Sequence, residues 1–362
     1  MIDNQTVALT NSAKVNGATD FAYKPTSPFP ALSAHNYTIT VKDTLGNTVT
    51  SQGSFTTPNY SLDKLHNYLA EILNAAAISP DKGGHTGKAG DTALDFGTGT
   101  APASALVPDA TFLNPTASND VMSASVWVKR YDNPPADGTA FWAESASSAG
   151  NRGFLANVPL SASDSVIFDV GGNGPDEELA APISGFPGFT DDSFWTNWHN
   201  YVFIKNAGDK QIWIDGQFFA DGPGATVVPT DFTKMWFGAA GGGQGGASFN
   251  LHGLIDDFAV FGTALATNQI QQLFTGTPTD LPASAKLLAY WDFSAAAAVV
   301  TRPTLTISRS GTTITIAWPA GTGFHLVSSP TASGTYSTVS GVTGNSYTVT
   351  NPKGTLFYRL QQ

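Results

Sequence analysis

Two short passages constrain this chain more than any other: Trp198–Gly216 (WHNYVFIKNAGDKQIWIDG) and Leu254–Leu265 (LIDDFAVFGTAL). The first alternates apolar and polar residues through Asn200–Lys205, breaks at a Gly-Asp turn within Ala207–Lys210, resumes at Gln211–Asp215 and ends in an Asp-Gly turn. Alternation of period two on both sides of a tight turn is a hairpin with one buried face. Similar runs recur at Ala93–Phe96, Met122–Arg130, Phe141–Ala143, Gly153–Val158, Val166–Val170, Lys234–Gly238, Phe249–Phe261 and Leu287–Phe293. Many short strands punctuated by turn residues predict an all-β sandwich.

The "WHNYVFIK", "IWIDG" and "IDDFAVF…AL" strings resemble the laminin-G-like branch of the concanavalin A-like jelly rolls. That resemblance implies one jelly-roll sandwich over residues 81–298. Leu288–Phe293 (LAYWDF) resembles the opening strand of such domains, yet it follows the "IDDFAVF" strand. A circularly permuted arrangement is therefore expected, with this strand beside the Asp256–Asp257 strand, because an unfilled slot would expose a sheet edge.

At 362 residues the chain exceeds one ordinary sandwich, and about 150 residues per domain suggests two or three units. Residues 1–58 carry two alternating runs, Tyr37–Lys42 and Thr48–Phe55, around a turn cluster, and resemble part of an Ig-like β-unit. In residues 59–80, Leu62, Leu65, Leu69, Ile72, Leu73 and Ala76 recur at three- and four-residue spacing after Ser61, which predicts a short helical connector. A second short helix is expected over Thr267–Phe274. Residues 303–362 alternate again and resemble a small fibronectin-III-like module of the kind that closes many large secreted bacterial proteins.

Charge excludes several classes of partner. Only 12% of residues are charged, the net charge is -11, and no Lys/Arg run occurs, so phosphate backbones of nucleic acids find no clustered cations. No stretch approaches the roughly 20 apolar residues of a membrane-spanning helix. With no cysteine there are no disulfides, thiolates or Cys-based zinc sites. The Gly-, Ser- and Thr-rich composition suits an extracellular or cell-surface β-protein. The absence of a signal-like segment after Met1 is read as a boundary inside a longer polypeptide with further domains.

No motif announces catalysis. Gly83–Ala89 lacks the Ser or Thr of a phosphate loop, and the glycines at 241, 243 and 246 precede a strand rather than a helix. Glycosidase chemistry needs paired carboxylates about 5–9.5 Å apart, but the four glutamates, Glu71, Glu144, Glu177 and Glu178, form no E-x-D-x-E set. Asp176 with Glu178, or Glu144 with Asp169, are left as pairs that could converge. No G-x-S-x-G elbow is present.

The resemblance therefore implies non-catalytic recognition of a polysaccharide or glycan. A ligand-free structural spacer and a polysaccharide-active hydrolase or lyase stay open as alternatives. Aromatic, Arg and Asn residues concentrate near glycine-rich turns at Phe141–Asn157 and in the loop preceding Trp195, so Trp142, Arg152, Asn157 and Trp195 are the expected ligand contacts. For Trp195 the alternative is a loop folded back as a lid. The resemblance also implies a structural calcium ion where the first and last strands of the domain meet. Alternation in Ile255–Phe258 places one aspartate on each face, and Asp256, Asp257 and Asp292 are the expected ligands, with Asp95 a further candidate. The competing reading has Asp256 or Asp257 accepting backbone N–H groups in a turn.

Overall fold

The computed structural model describes residues 1–3, 5–7, 10–11, 21–22, 28–42, 45–99, 101–114, 120–160, 164–241, 248–294, 305–318, 325–331, 334, 336–350 and 355–361. The glycines at 243 and 246 lie outside the described residues. The chain divides into a large unit, Met1–Ala298, and a small one, Val299–Gln362.

Two antiparallel eight-stranded sheets dominate the large unit. Across the first sheet run Gln217–Pro223, Asp209–Ile214, His199–Asn206, Val121–Arg130, Gly253–Phe261, Leu94–Asp95 and Ala77–Ile78, in that order. The eighth strand, Leu287–Trp291, also pairs with Gly253–Phe261. Leu94–Asp95 pairs with the first half of that strand, opposite Leu254 and Ile255, and Leu287–Trp291 with the second, Trp291 opposite Phe258. Two strands of different sequence origin thus share one neighbour and cover its edge.

The second sheet runs Glu178–Pro182, Ser165–Val170, Arg152–Leu160, Thr139–Ser145, Phe232–Phe237, Ala103–Val107, Leu69–Asn74 and Tyr60–Leu62. Its inward residues, including Phe141, Phe154, Phe168 and Phe237, meet Phe203, Phe258 and Trp291 of the first sheet in one buried cluster. Phe237 packs edge-on against Phe258 and Trp291 with ring centroids 4.8 and 5.5 Å apart. Each such ring removed from water contributes about 1.5–3 kcal/mol, and the tilted geometry adds to it.

Residues 59–80 do not form the expected helix. Tyr60–Leu62 and Leu69–Asn74 are strands of the second sheet. The reversal between them is built on buried Asp63, whose carboxylate accepts the backbone N–H groups of Leu65, His66 and Tyr68. An aspartate that satisfies three main-chain donors in a turn favours the turn over a helix. The α-helix of the described residues is Thr267–Thr275, with Ile270 and Leu273 buried and Gln269 Oε1 accepting the Ala266 N–H. No helix of the described residues is long and apolar enough to cross a membrane.

Ahead of the sandwich, Ala34–Lys42 and Thr48–Thr56 form a two-stranded ribbon. The small unit holds two three-stranded antiparallel sheets around Ile316, Trp318 and Leu326.

Candidate functional site

A candidate surface of the large unit lies on one rim of the sandwich. Here Val121–Arg130 ends while Ala103–Val107, Thr139–Ser145 and Gly253–Phe261 begin. The rim is tied by Arg130, a fully buried guanidinium that donates to the carbonyls of His252 (3.1 Å), Val158 (2.6 Å) and Ala136 (2.8 Å). Its charge is balanced by Asp132, whose Oδ1 lies 3.3 Å from Nη2. A side chain at Gly138 would meet Arg130, since a Cβ there would stand 2.3 Å from Nη1. Three carbonyls and a carboxylate satisfy the cation, so it can be buried.

Over this brace opens a depression of about 550 Å³, lined by Gly99, Ala101, Pro102, Ala136, Asp137, Ser248, Phe249, Asn250 and His252. Asp132 Oδ2 accepts the Ala136 N–H and stands 3.1 Å from His252 Nδ1, fixing the imidazole at the wall. Gly99 is at φ +81°, and a Cβ there would lie 2.0 Å from His252 Nε2, so only glycine lets the loop pass the ring. Asn250 Nδ2 donates to Ala103 O at 3.0 Å. Phe249 is held at φ +50° while 37% exposed, with its carbonyl accepting the Thr139 N–H at 2.9 Å. A bulky residue in the left-handed region is strained, and such strain concentrates at functional loops. An open aromatic face beside amide, carboxylate and imidazole groups suits stacking on a sugar ring and hydrogen bonding to its hydroxyls.

The expected contacts lie elsewhere. Trp195 is 1% exposed and packs in the core, edge-on to Phe194, so it is not a surface residue. The loop before it, with Ile183, Phe186 and Phe194 buried, folds back as the lid. Trp142 faces outward from the second sheet, in a row that crosses all eight strands: Glu178, Asp169, Leu155, Trp142, Trp236, Leu106, Glu71, Tyr60. It too is covered, at 4% exposed, because the backbone at Gly241 passes so close that a Cβ would stand 2.7 Å from both the Trp142 and Trp236 rings. Arg152 lies over the Trp142 ring at 5.0 Å and pairs with Asp169. Asn157 is buried, with Oδ1 unpartnered. The structure therefore joins Trp142 to Arg152 but builds no exposed surface from the four residues. Phe249, Asn250 and Asp137 were missed. The glycine run before Phe249 was their only signal.

The expected metal ligands are also rearranged. Ser125 stands opposite Ala259 but Trp127 opposite Asp256, so the Gly253–Phe261 strand carries one extra residue, a bulge with Asp257 at φ +45°. Ile255 and Phe258 both enter the core, and Asp256 and Asp257 both turn to His85 instead of pointing to opposite faces. His85 Nδ1 lies 3.0 Å from Asp256 Oδ2 and 3.7 Å from Asp257 Oδ2. Burial, then the neighbouring Asp256 charge, pushes Asp257 up to about 7. Burial opposes a charge on His85, but the Asp256 hydrogen bond and the surrounding carboxylates outweigh it and raise its pKa. Asp292 stays outside this group, paired with Lys64 Nζ at 2.8 Å and accepting from Ser294. Asp95 accepts from Tyr131 and Gly97. His85, Asp91 and Asp256 instead form a group that could hold a metal ion, with one donor atom of each within 4.8 Å of the others. That group does not fit the expected calcium, a hard cation that takes six to eight oxygens, because one of its three donors is an imidazole nitrogen.

Residues 100–271 match the family described as the Concanavalin A-like lectin/glucanases superfamily (Laminin_G_3). The two facing antiparallel sheets make the fold a concanavalin A-like sandwich. Comparison with curated proteins found no match. Among solved structures, similarity extends to the binding domain of botulinum neurotoxin DC in complex with rat synaptotagmin II, at 13% identity and a TM-score of 0.41, covering 77% of this chain and 67% of that one. The binding domain of botulinum neurotoxin serotype G shows 13% identity and a TM-score of 0.41, covering 60% of this chain, which spans half of that one. Domain 4 of AbnA, an extracellular arabinanase of Geobacillus stearothermophilus solved with arabinotriose, shows 17% identity and a TM-score of 0.39, covering 60% of this chain and 88% of that one.

Proposed function

We propose that this chain recognises a glycan without chemically altering it, through the rim depression of the sandwich, as a module of a secreted or surface-bound protein. The observation that carries this reading is Phe249: an exposed aromatic held at positive φ at a depression to which Asp137, Ser248, Asn250 and His252 contribute polar groups. Holding such a residue there costs about 1–3 kcal/mol, and an open ring face for a pyranose or furanose is what the strain supplies. Asp137, Asn250 and His252 surround it with groups that hydrogen-bond sugar hydroxyls.

Calcium forms no part of this reading, since the depression is separate from the His85, Asp91 and Asp256 group. The test is a glycan array of neutral and acidic oligosaccharides, followed by calorimetry on the best ligand with Phe249→Ala and Asn250→Ala. Loss of at least tenfold in affinity in both folded variants supports the proposal. Equal binding by both variants removes the rim as the site, and failure of the parent on all glycans favours a spacer.

A further inference from the structure

We infer that His85, Asp91 and Asp256 form a binding site for one transition-metal ion of zinc-like chemistry. This inference is independent of the rim reading. Its donors come from two separate parts of the chain: the loop carrying His85 and Asp91, and the bulged strand carrying Asp256. Zinc holds nitrogen and oxygen donors at about 2.0–2.2 Å, which sets neighbouring donors of a tetrahedral site roughly 3.3–3.6 Å apart. The observed 3.0 Å from His85 Nδ1 to Asp256 Oδ2 is close to that spacing, and one donor atom of each of His85, Asp91 and Asp256 lies within 4.8 Å of the others. Imidazole nitrogen with carboxylates is a donor set for zinc, iron, nickel or copper rather than for calcium.

The surroundings hold these donors in place. The His85 ring stacks flat on Trp127, centroids 4.3 Å apart and planes 15° apart. The backbone N–H of His85 donates to Asp256 Oδ2 at 2.9 Å, and the Asp257 N–H donates to Asp256 Oδ1 at 2.8 Å. The Thr86 N–H donates to Asp91 Oδ2 at 2.8 Å. Gly84 leaves the space that the Asp91 carboxylate fills, since a Cβ there would lie 2.3 Å from Asp91 Oδ1. Outer hydrogen bonds of this kind orient metal ligands and tune affinity.

The test uses the whole chain, stripped with chelator and titrated separately with zinc chloride and calcium chloride by calorimetry, with cobalt(II) as a visible-absorbing probe. One equivalent of zinc should bind, calcium should bind at least tenfold more weakly, and cobalt should show the intense d–d bands of a four-coordinate site. His85→Gln and Asp91→Asn should each weaken zinc by tenfold or more. Should His85→Gln fail to fold, Asp91→Asn and the histidine NMR signals of the native chain decide, because zinc must shift the His85 imidazole and leave His199 and His325 unmoved. No zinc binding, calcium bound as tightly as zinc, or unchanged zinc affinity in the folded variants would overturn the site.

Discussion

Arg152 reaches along the outer face of the second sheet to donate to Asp169 Oδ2, while the other carboxylate oxygen of Asp169 is buried without a partner. Burial outweighs the neighbouring Arg152 charge and pushes Asp169 up to about 7. In the unfolded chain an aspartate releases its proton near pH 4. Between the two values the folded state binds more protons, so this group's contribution to stability is present at low pH and is lost as pH rises from about 4 to 7. Urea unfolding from pH 4.5 to 8 should show a decline that Asp169→Asn reduces by on the order of 1–4 kcal/mol. An identical pH slope in parent and variant would show that the carboxylate is ionised throughout.

Lys210 presents the opposite sign. Its Nζ is buried without a hydrogen-bond partner, and burial, only partly offset by Asp169, lowers its pKa to about 8. The unfolded chain keeps this proton up to about pH 10. The penalty for the buried ammonium is therefore full below about pH 8 and fades as pH rises toward 10. Lys210→Met should stabilise the protein by roughly 1–3 kcal/mol at pH 7 and by much less at pH 10. Equal gains at both pH values would assign the effect to packing instead.

These buried charges mark the boundary of what the sequence reveals. The hairpin of Tyr201 against Ile214 was legible, since alternation and turn residues agree with the observed register. So was the place of Leu287–Trp291 beside the Asp256 strand. The segment around Leu69 was misread because leucines at helical spacing mimic a helix. In the structure Leu65 is 39% exposed while Ala70 and Ile72 face inward, a period of two that six residues are too short to announce. The bulge at Asp257 was equally hidden, because one extra residue against a partner strand is a property of the pairing and not of either string. Trp142 and Trp195 look alike in the sequence as loop-proximal aromatics, and only the passage of the Gly241 backbone and the lid decides that both are covered.

Trp195 offers a direct check of the lid. Its ring lies fully within the core cluster, so Trp195→Ala removes a large buried side chain and should cost about 3–5 kcal/mol. The measurement is the denaturant midpoint at constant slope. A loss below about 1 kcal/mol would mean that the ring is accessible and return it to the list of ligand contacts.

Gly99→Ala probes the rim from behind. The residue combines φ +81° with a Cβ position 2.0 Å from His252 Nε2, so the substitution strains the backbone and displaces the imidazole together. A cost of about 1–3 kcal/mol is expected, accompanied by weaker glycan binding although Gly99 offers no side chain to a ligand. Destabilisation with unchanged affinity would exclude His252 from recognition.

The sharpest test sets Phe249→Gly against Phe249→Ala. Both remove the exposed ring, and both should abolish glycan binding if that ring is the stacking platform. They differ in backbone: at φ +50° alanine keeps the left-handed penalty, whereas glycine adopts that conformation freely. Glycine also loses more freedom on folding, which offsets part of the gain. The glycine variant should therefore be about 1 kcal/mol more stable than the alanine variant, and close to the parent, in the same chemical-denaturation experiment. Stability maintained while binding is lost is the signature of strain held for function. Should both variants instead lose several kcal/mol, the Phe249 ring packs for structure and the glycan surface must be sought elsewhere.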